Sequence, residues 1–191
     1  MVAQAYPEIK SAWGIDPSHT VIEFAVKHMV ISTVKGRFSA FDVKVDFDEA
    51  NPERSSIDAR IDVSSMDTKE PKRDAHLRSS DFFDAEHYPW ITFTSRKVEP
   101  RGRNRYDVIG DLTIRDVTRE VVLEAEYVGK AKDPWGNVHA GFTAHATVNR
   151  KDFGVTWNMA LETGGFLVSD TVKISLEAEL VRQVQELKAA A

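Results

Sequence analysis

The 191-residue chain contains no cysteine. Disulfides, thiolate nucleophiles, zinc–thiolate clusters and iron–sulfur centres are therefore excluded. It also lacks any apolar run approaching the roughly 20 residues of a membrane-spanning helix. The opening stretch, Met1 to Lys10, does not have the basic-then-apolar layout of a secretory signal, so the expected compartment is the cytoplasm. There is no basic run with interleaved aromatics, and the net charge is −5, which argues against nucleic acid or an anionic membrane surface as partner. Internal repeats and low-complexity linkers are missing too. What remains is a chain of globular composition, 42% hydrophobic and 29% charged, long enough for one domain with a substantial core.

Its dominant signal is two-residue alternation, the period of a strand wet on one face. Around 20–28, Ile22, Phe24, Val26 and His28 share a face, against Glu23 and Lys27. Over 41–47, Phe41, Val43, Val45 and Phe47 alternate with Asp42, Lys44 and Asp46. Over 57–63, Ile57, Ala59, Ile61 and Val63 alternate with Asp58, Arg60 and Asp62. The same pattern turns Tyr106, Val108, Gly110, Leu112 and Ile114 inward over 106–114, and Val121, Leu123, Ala125 and Tyr127 over 121–127. Over 138–148 the inward set is Val138, Ala140, Phe142, Ala144, Ala146 and Val148. The last strand sets Val172, Ile174, Leu176, Ala178 and Leu180 against Lys173, Glu177 and Glu179, and a weaker strand at 90–98 turns Ile91 and Phe93 inward.

That makes about eight strands. One-sided wetting means antiparallel pairing, and so many strands with so little helix need closed or covered edges, as in a barrel or a sandwich. The expected fold is all-β: an eight-stranded antiparallel barrel over residues 12–182, with a loose arm at 1–11 and a frayed or helical tail at 183–191. Residues 67–88 break the period. Asp67 or Thr68 can cap a helix with Glu70 and Pro71 in its first turn, and Ser79 or Ser80 can cap a further turn carrying Phe82 and Phe83. One helical excursion around residues 70–84 is predicted to cross a barrel end, plugged by Leu77, Phe82 and Phe83, either as a fixed lid or as a gate.

The inward faces are not uniformly bulky. Ala59, Gly110, Ala125, Ala140, Ala144, Ala146 and Ala178 fall on them. A small barrel filled by its own side chains also alternates small with large residues, and eight strands enclose just enough room to be filled or to hold one ligand. Both readings stand on the pattern. If a cavity exists, its lining is Phe, Val, Ile, Leu and Ala, and the occupant is apolar, because a sugar or nucleotide would leave polar groups unpaired at about 1–3 kcal/mol each.

Among polar residues, His28 reads either as a satisfied strand-end histidine or as a head-group contact at the barrel mouth. His19 supports a turn after Pro17 and Ser18, His76 and His87 bracket the helical segment, and His139 and His145 alternate outward. No pair has the spacing of a helical metal site, so no metal is expected. Arg150 with Asp152, and Arg73 with Asp74, read as loop braces, and Asp116 with Thr118 as a hairpin turn. Trp13, Trp90, Trp135 and Trp157 read as plugs or rim residues, with Trp157 bordering the lumen.

The motifs carry a resemblance. DPSHT at 16–20 with VKH at 26–28, GRF at 36–38, RDAHLRSSDFFD at 73–84, YPWITFTS at 88–95, GDLTIRDVTREV at 110–121, NRKDFGVTWN at 149–158 and VSDTVKISLEAEL at 168–180 follow in order and at natural spacing. Over residues 12–182 the chain resembles the YceI-like family, the polyisoprenoid- or lipid-binding YceI domains. The resemblance implies a lipocalin-like antiparallel barrel with a helix near 70–84. It also implies a long central cavity for a polyisoprenoid, an isoprenoid quinone or a fatty-amide-like chain.

Faces and resemblance together give the candidate ligand contacts: Phe24, Val26, His28, Phe38, Phe41, Ala59, Ile61, Leu77, Phe82, Phe83, Phe93, Val108, Gly110, Leu112, Leu123, Ala125, Phe142, Ala144, Ala146, Trp157 and Leu176. The expected function is a non-catalytic carrier, store or sensor of an isoprenoid-like lipid, with no other cofactor and with a homodimer compatible. Two alternatives remain: an enzyme acting on that lipid with His28 or Asp152 as base, and a ligand-free structural or stress-related interaction domain.

Overall fold

The structure, a computed structural model, describes residues 12–162 and 164–183. The expected arm at 1–11 and tail residues 184–191 lie outside them; Gln183, assigned to the tail from sequence, ends the last strand. Among the described residues the strands are β1 (Ala12–Ile15), β2 (Val21–His28), β3 (Ser32–Phe38), β4 (Phe41–Asp46), β5 (Ser56–Asp62), β6 (Met66–Asp67), β7 (Trp90–Gly102), β8 (Arg105–Ile114), β9 (Val117–Lys132), β10 (Val138–Asn149) and β11 (Val168–Gln183), with one α-helix, α1 (Pro71–Arg78). All pairings are antiparallel, in the order β4-β5-β7-β8-β9-β10-β11-β2-β3-β6, with β1 also on β11.

The fold is the expected all-β, lipocalin-like barrel, and the difference between eight strands and eleven has a local cause. Strands β1 and β2 pair successive stretches of β11, Ile15 with Leu180 and Val21 with Glu177, and are one strand interrupted by the Asp16–Thr20 turn. Only Ser39 and Ala40 separate β3 from β4. The first half of this bent strand pairs β2 and the second half pairs β5, so the two borders of the curled sheet are successive pieces of one chain segment. This manages the exposed edges that an open sheet would leave for aggregation. The two-residue β6 is a short bridge onto Phe38 and Arg37.

Helix α1 begins one to three residues later than the sequence suggests. Its cap is Glu70, whose carboxylate accepts from Lys72 N–H at 3.2 Å and Arg73 N–H at 2.5 Å, with Pro71 at the first helical position. Asp67 and Thr68 serve other ends. Buried Asp74 accepts from the Thr68 amide at 3.0 Å and from its hydroxyl, Arg73 bonds Thr68 O at 2.8 Å, and Arg78 bonds Met66 O at 2.6 Å. These bonds clamp the helix to β6.

Inward residues form one main core, centred on Ile22, Phe38, Val63, Met66, Ile91, Phe93, Leu112, Leu123 and Phe153. A smaller cluster at the opposite end packs Trp13, Ala140 and Leu180. Strands β9 and β10 pair only as far as Glu124 and His145. Beyond that point they separate, and a 3-10 turn over Arg150–Phe153 drops buried Phe153 into the core beside the split.

Candidate functional site

Between the α1 end and the opposite end, which carries the 16–20, 47–55 and 103–104 turns, the barrel encloses a cavity of about 550 Å³. Strand alternation builds its wall. Phe24 and Val26 come from β2, Phe38 from β3, Ala59 and Ile61 from β5, and Phe93 from β7. Val108 and Leu112 from β8, Leu123 and Ala125 from β9, Phe142 and Ala144 from β10, and Leu176 from β11 complete the ring. Leu77 from α1, with Phe82 and Phe83 from the turn after it, closes one end. Sixteen of the twenty-one residues selected from sequence thus share one surface.

The other five lie off it. His28 ends β2, paired with Ser32 and Val168. Phe41 packs against the core at the start of β4. The Gly110 position is filled by its neighbour: a Cβ there would lie 2.6 Å from Phe93 Cζ, so its small size serves that ring and leaves no void. Ala146 is buried at the β9–β10 split. Trp157 does not border the lumen; it packs behind Phe82 at 5.2 Å between ring centroids and edge-on to His76 at 4.7 Å.

Sequence reasoning passed over part of the wall. Val43, Val45, Phe47, Ile57, Tyr106, Ile114, Val121, Tyr127 and Val148 line the cavity and were visible in the same alternation. Ile15 and Thr20 also line it, beside the free edge of β4, and no periodicity marks them. The polar lining is uneven. Ser55, Asn104, Glu49 and Thr20 sit toward the end opposite α1. At the α1 end the polar group is Arg150, 6% exposed, and its guanidinium is already engaged by the carbonyls of Val155 (2.7 Å), Trp157 (2.8 Å) and Ser169 (3.1 Å) and by Asp170 (3.2 Å). Burial draws its pKa down, while the Asp170 charge opposes that shift.

A second feature lies on the outer face at the end opposite α1. Asp16 and His19 from the β1–β2 turn meet Glu179 of β11, His139 of β10 and Asp133 of the β9–β10 hairpin. His19 Nδ1 is 2.9 Å from Asp16 Oδ2 and 3.8 Å from Glu179 Oε1. His139 Nδ1 is 2.7 Å from that same Glu179 oxygen, and its Nε2 is 3.1 Å from Asp133 Oδ2. The hydrogen bond to Asp16 raises the His19 pKa, and the one to Asp133 raises that of His139. Bonds from Ser18 and His19 depress Asp16. Desolvation works to raise Asp133, but its bonds with Asn137 and His139 outweigh this and hold it at about 2. The sequence discounted these histidines because the cluster assembles only through the β1–β11 and β10–β11 pairings.

Comparison with known proteins bears on the barrel. The chain is 37% identical over 185 residues to a UPF0312 protein of Pectobacterium carotovorum, covering 96% of this chain and 93% of the relative. It is 38% identical over 165 residues to a UPF0312 protein of Ectopseudomonas mendocina, covering 86% and 83%. Among solved structures, the Campylobacter jejuni YCEI protein superposes with a TM-score of 0.71 at 35% identity, covering 82% of this chain and 90% of that one. BcnA of Burkholderia cenocepacia gives 0.76 at 27%, covering 86% and 98%. A polyisoprenoid binding domain from Saccharophagus degradans gives 0.64 at 13%, covering 91% and 99%, which shows a shared fold. The YceI-like domain profile matches residues 13–180. By this match and these relatives, the chain belongs to the YceI-like domain family.

Proposed function

We propose that the barrel takes up one long isoprenoid-type lipid (a polyisoprenoid, an isoprenoid quinone or a fatty-amide-like chain) and acts as its carrier, store or sensor without converting it. The observation that carries this reading is the wall itself: a cavity of about 550 Å³ lined by Phe, Val, Ile, Leu and Ala from most strands of the barrel. Apolar interiors are normally close-packed, so an elongated apolar void favours an apolar occupant. At about 30 Å³ per water-sized group the volume takes roughly eighteen carbon-sized groups. Burying those at about 0.8 kcal/mol each gives a gross gain of about 14 kcal/mol. Association costs of about 6 kcal/mol, within the usual spread, leave micromolar affinity.

The unevenness of the polar lining supports one orientation for such a lipid. The tail points toward Leu77, Phe82 and Phe83, where four of the five Arg150 N–H groups already donate to protein oxygens, and the head group sits among Thr20, Ser55 and Asn104. The two side chains weighed as catalytic bases are poorly placed for chemistry on such a chain: His28 is off the lining and Asp152 is solvent-exposed. The test is organic extraction of freshly purified protein followed by mass spectrometry, with titration of added geranylgeraniol. Recovery of a long-chain isoprenoid or amide, or saturable binding of geranylgeraniol, is expected. A protein that yields no lipid and fails to bind geranylgeraniol overturns the reading.

A further inference from the structure

We propose that Asp16, His19 and Glu179, with His139 as the adjoining fourth ligand, form a binding site for a divalent transition-metal ion of the zinc type. The donor atoms already converge. In a tetrahedral site with ligands at about 2.0–2.1 Å, neighbouring donors stand about 3.3 Å apart. The separations of His19 Nδ1 from Asp16 Oδ2 and from Glu179 Oε1, 2.9 and 3.8 Å, bracket that value. Glu179 Oε1 is shared by the two imidazoles; His139 Nδ1 lies beside the convergent trio, 2.7 Å from that oxygen, and would have to exchange this contact for the ion to act as the fourth ligand.

The surroundings hold these donors in place. Asp133 Oδ2 accepts from His139 Nε2–H at 3.1 Å, the carboxylate–imidazole arrangement that orients a metal-bound histidine, and leaves Nδ1 directed at Glu179 Oε1. Asp133 is itself fixed by the amides of Trp135 (2.9 Å) and Asn137 (2.8 Å). The amide and hydroxyl of Ser18 hold the far oxygen of Asp16 at 2.8 and 2.6 Å, leaving Oδ2 for the cluster. The Glu179 amide donates to Thr20 Oγ1 at 3.2 Å, and Asp16 N–H to Glu179 O at 2.8 Å, which fixes the turn to β11. The donor set mixes imidazole nitrogen with carboxylate oxygen, which suits zinc, nickel or cobalt better than calcium or magnesium. A bound ion would brace the turn whose flanks, Ile15 and Thr20, form part of the cavity wall.

The test is isothermal titration of the full chain with Zn²⁺, repeated with Co²⁺ to read ligand geometry from the visible spectrum. Wild type should take up one equivalent with micromolar affinity. His19→Ala and Glu179→Gln should each weaken binding at least about tenfold. His87→Ala, which removes a histidine that meets one carboxylate elsewhere on the surface, should leave it unchanged. The far-ultraviolet spectrum of each variant confirms folding, and His19 is exposed enough for that to hold. Failure of wild type to bind Zn²⁺ saturably below millimolar concentration overturns the proposal, as does equal binding by wild type and His19→Ala. Lipid binding enters neither readout, so this result is independent of the function proposed for the cavity.

Discussion

Replacing Ala144 with tryptophan separates a hollow barrel from a filled one. Ala144 lies mid-strand on β10, between Leu176 of β11 and Ala125 of β9, and all three face the cavity. The substitution adds nine heavy atoms, on the order of 140 Å³ at interior packing density. That is roughly a quarter of the 550 Å³ available. At about 30 Å³ per group it displaces roughly five carbon-sized groups of ligand, and at about 0.8 kcal/mol each the loss is about 4 kcal/mol. Affinity for geranylgeraniol should therefore fall about a thousandfold. Stability should change little, because the indole occupies open space, whereas forcing it into a packed core costs about 1–3 kcal/mol or more.

The assay pairs geranylgeraniol titration with urea denaturation, using His145→Trp as the control. His145 is the next residue and is exposed on the opposite face, so the control carries the same ring but should bind as wild type does. If Ala144→Trp lowers stability by about 3 kcal/mol or more, the space was occupied by side chains. If it binds geranylgeraniol as well as wild type, the lipid lies elsewhere. Either result refutes the reasoning.

Two further expectations concern the helical plug and a surface pair. Asp74→Ala removes the acceptor of the buried Thr68 amide and hydroxyl, and should lower stability by about 1–3 kcal/mol in urea denaturation; a change under about 0.5 kcal/mol would show that this clamp does not hold the helix. His87 Nδ1–H donates to Asp84 at 2.9 Å, which raises the His87 pKa above its ordinary 6.5. The protonated pair therefore adds stability below the ordinary pKa and loses it as pH rises through the raised one. An NMR titration should place the midpoint of His87 above that of Asp84→Asn, a substitution that tolerates the left-handed backbone at φ 51°; equal midpoints would refute the coupling.

Most of the wall was legible because side-chain direction in a strand has a period of two, whatever the strand pairs with. Apart from Ile15 and Thr20, which no periodicity marks, several misreadings come from small inward residues. Strand β3 escaped notice because its inward series is Val34, Gly36 and Phe38, and the central position offers no apolar signal. It is glycine because a Cβ there would stand 2.4 Å from Phe24 Cζ and 2.8 Å from Thr68 Cγ2. Gly110 answers Phe93 in the same way, and fully buried Ala140 packs in the cluster with Trp13. A small inward residue therefore means one of two things: an open lumen, as at Ala59, Ala125, Ala144 and Ala178, or a large neighbour that has taken the space. The neighbour comes from another strand, so alternation within one strand cannot separate the two cases.

The same limit governs the polar side chains, with the opposite consequence. Taken singly, His19 meets only Asp16 of its own turn and His139 only Asp133 of its own hairpin, and the Glu179 that joins them is remote in sequence. The antiparallel register sets Ile15 against Leu180 and His139 against Val181, which brings the 16–19 turn and His139 to either side of Glu179. Sequence separations of 40 to about 160 residues collapse to hydrogen-bond distances through backbone pairing that is fixed by the apolar faces. Slipping β11 by one residue would turn Leu176, Ala178 and Leu180 out of the barrel, so the packing of the lumen enforces the register. That register in turn aligns the outer carboxylates and imidazoles. The cavity and the cluster are thus two faces of one strand alignment, and a change that shifts β11 should disturb both.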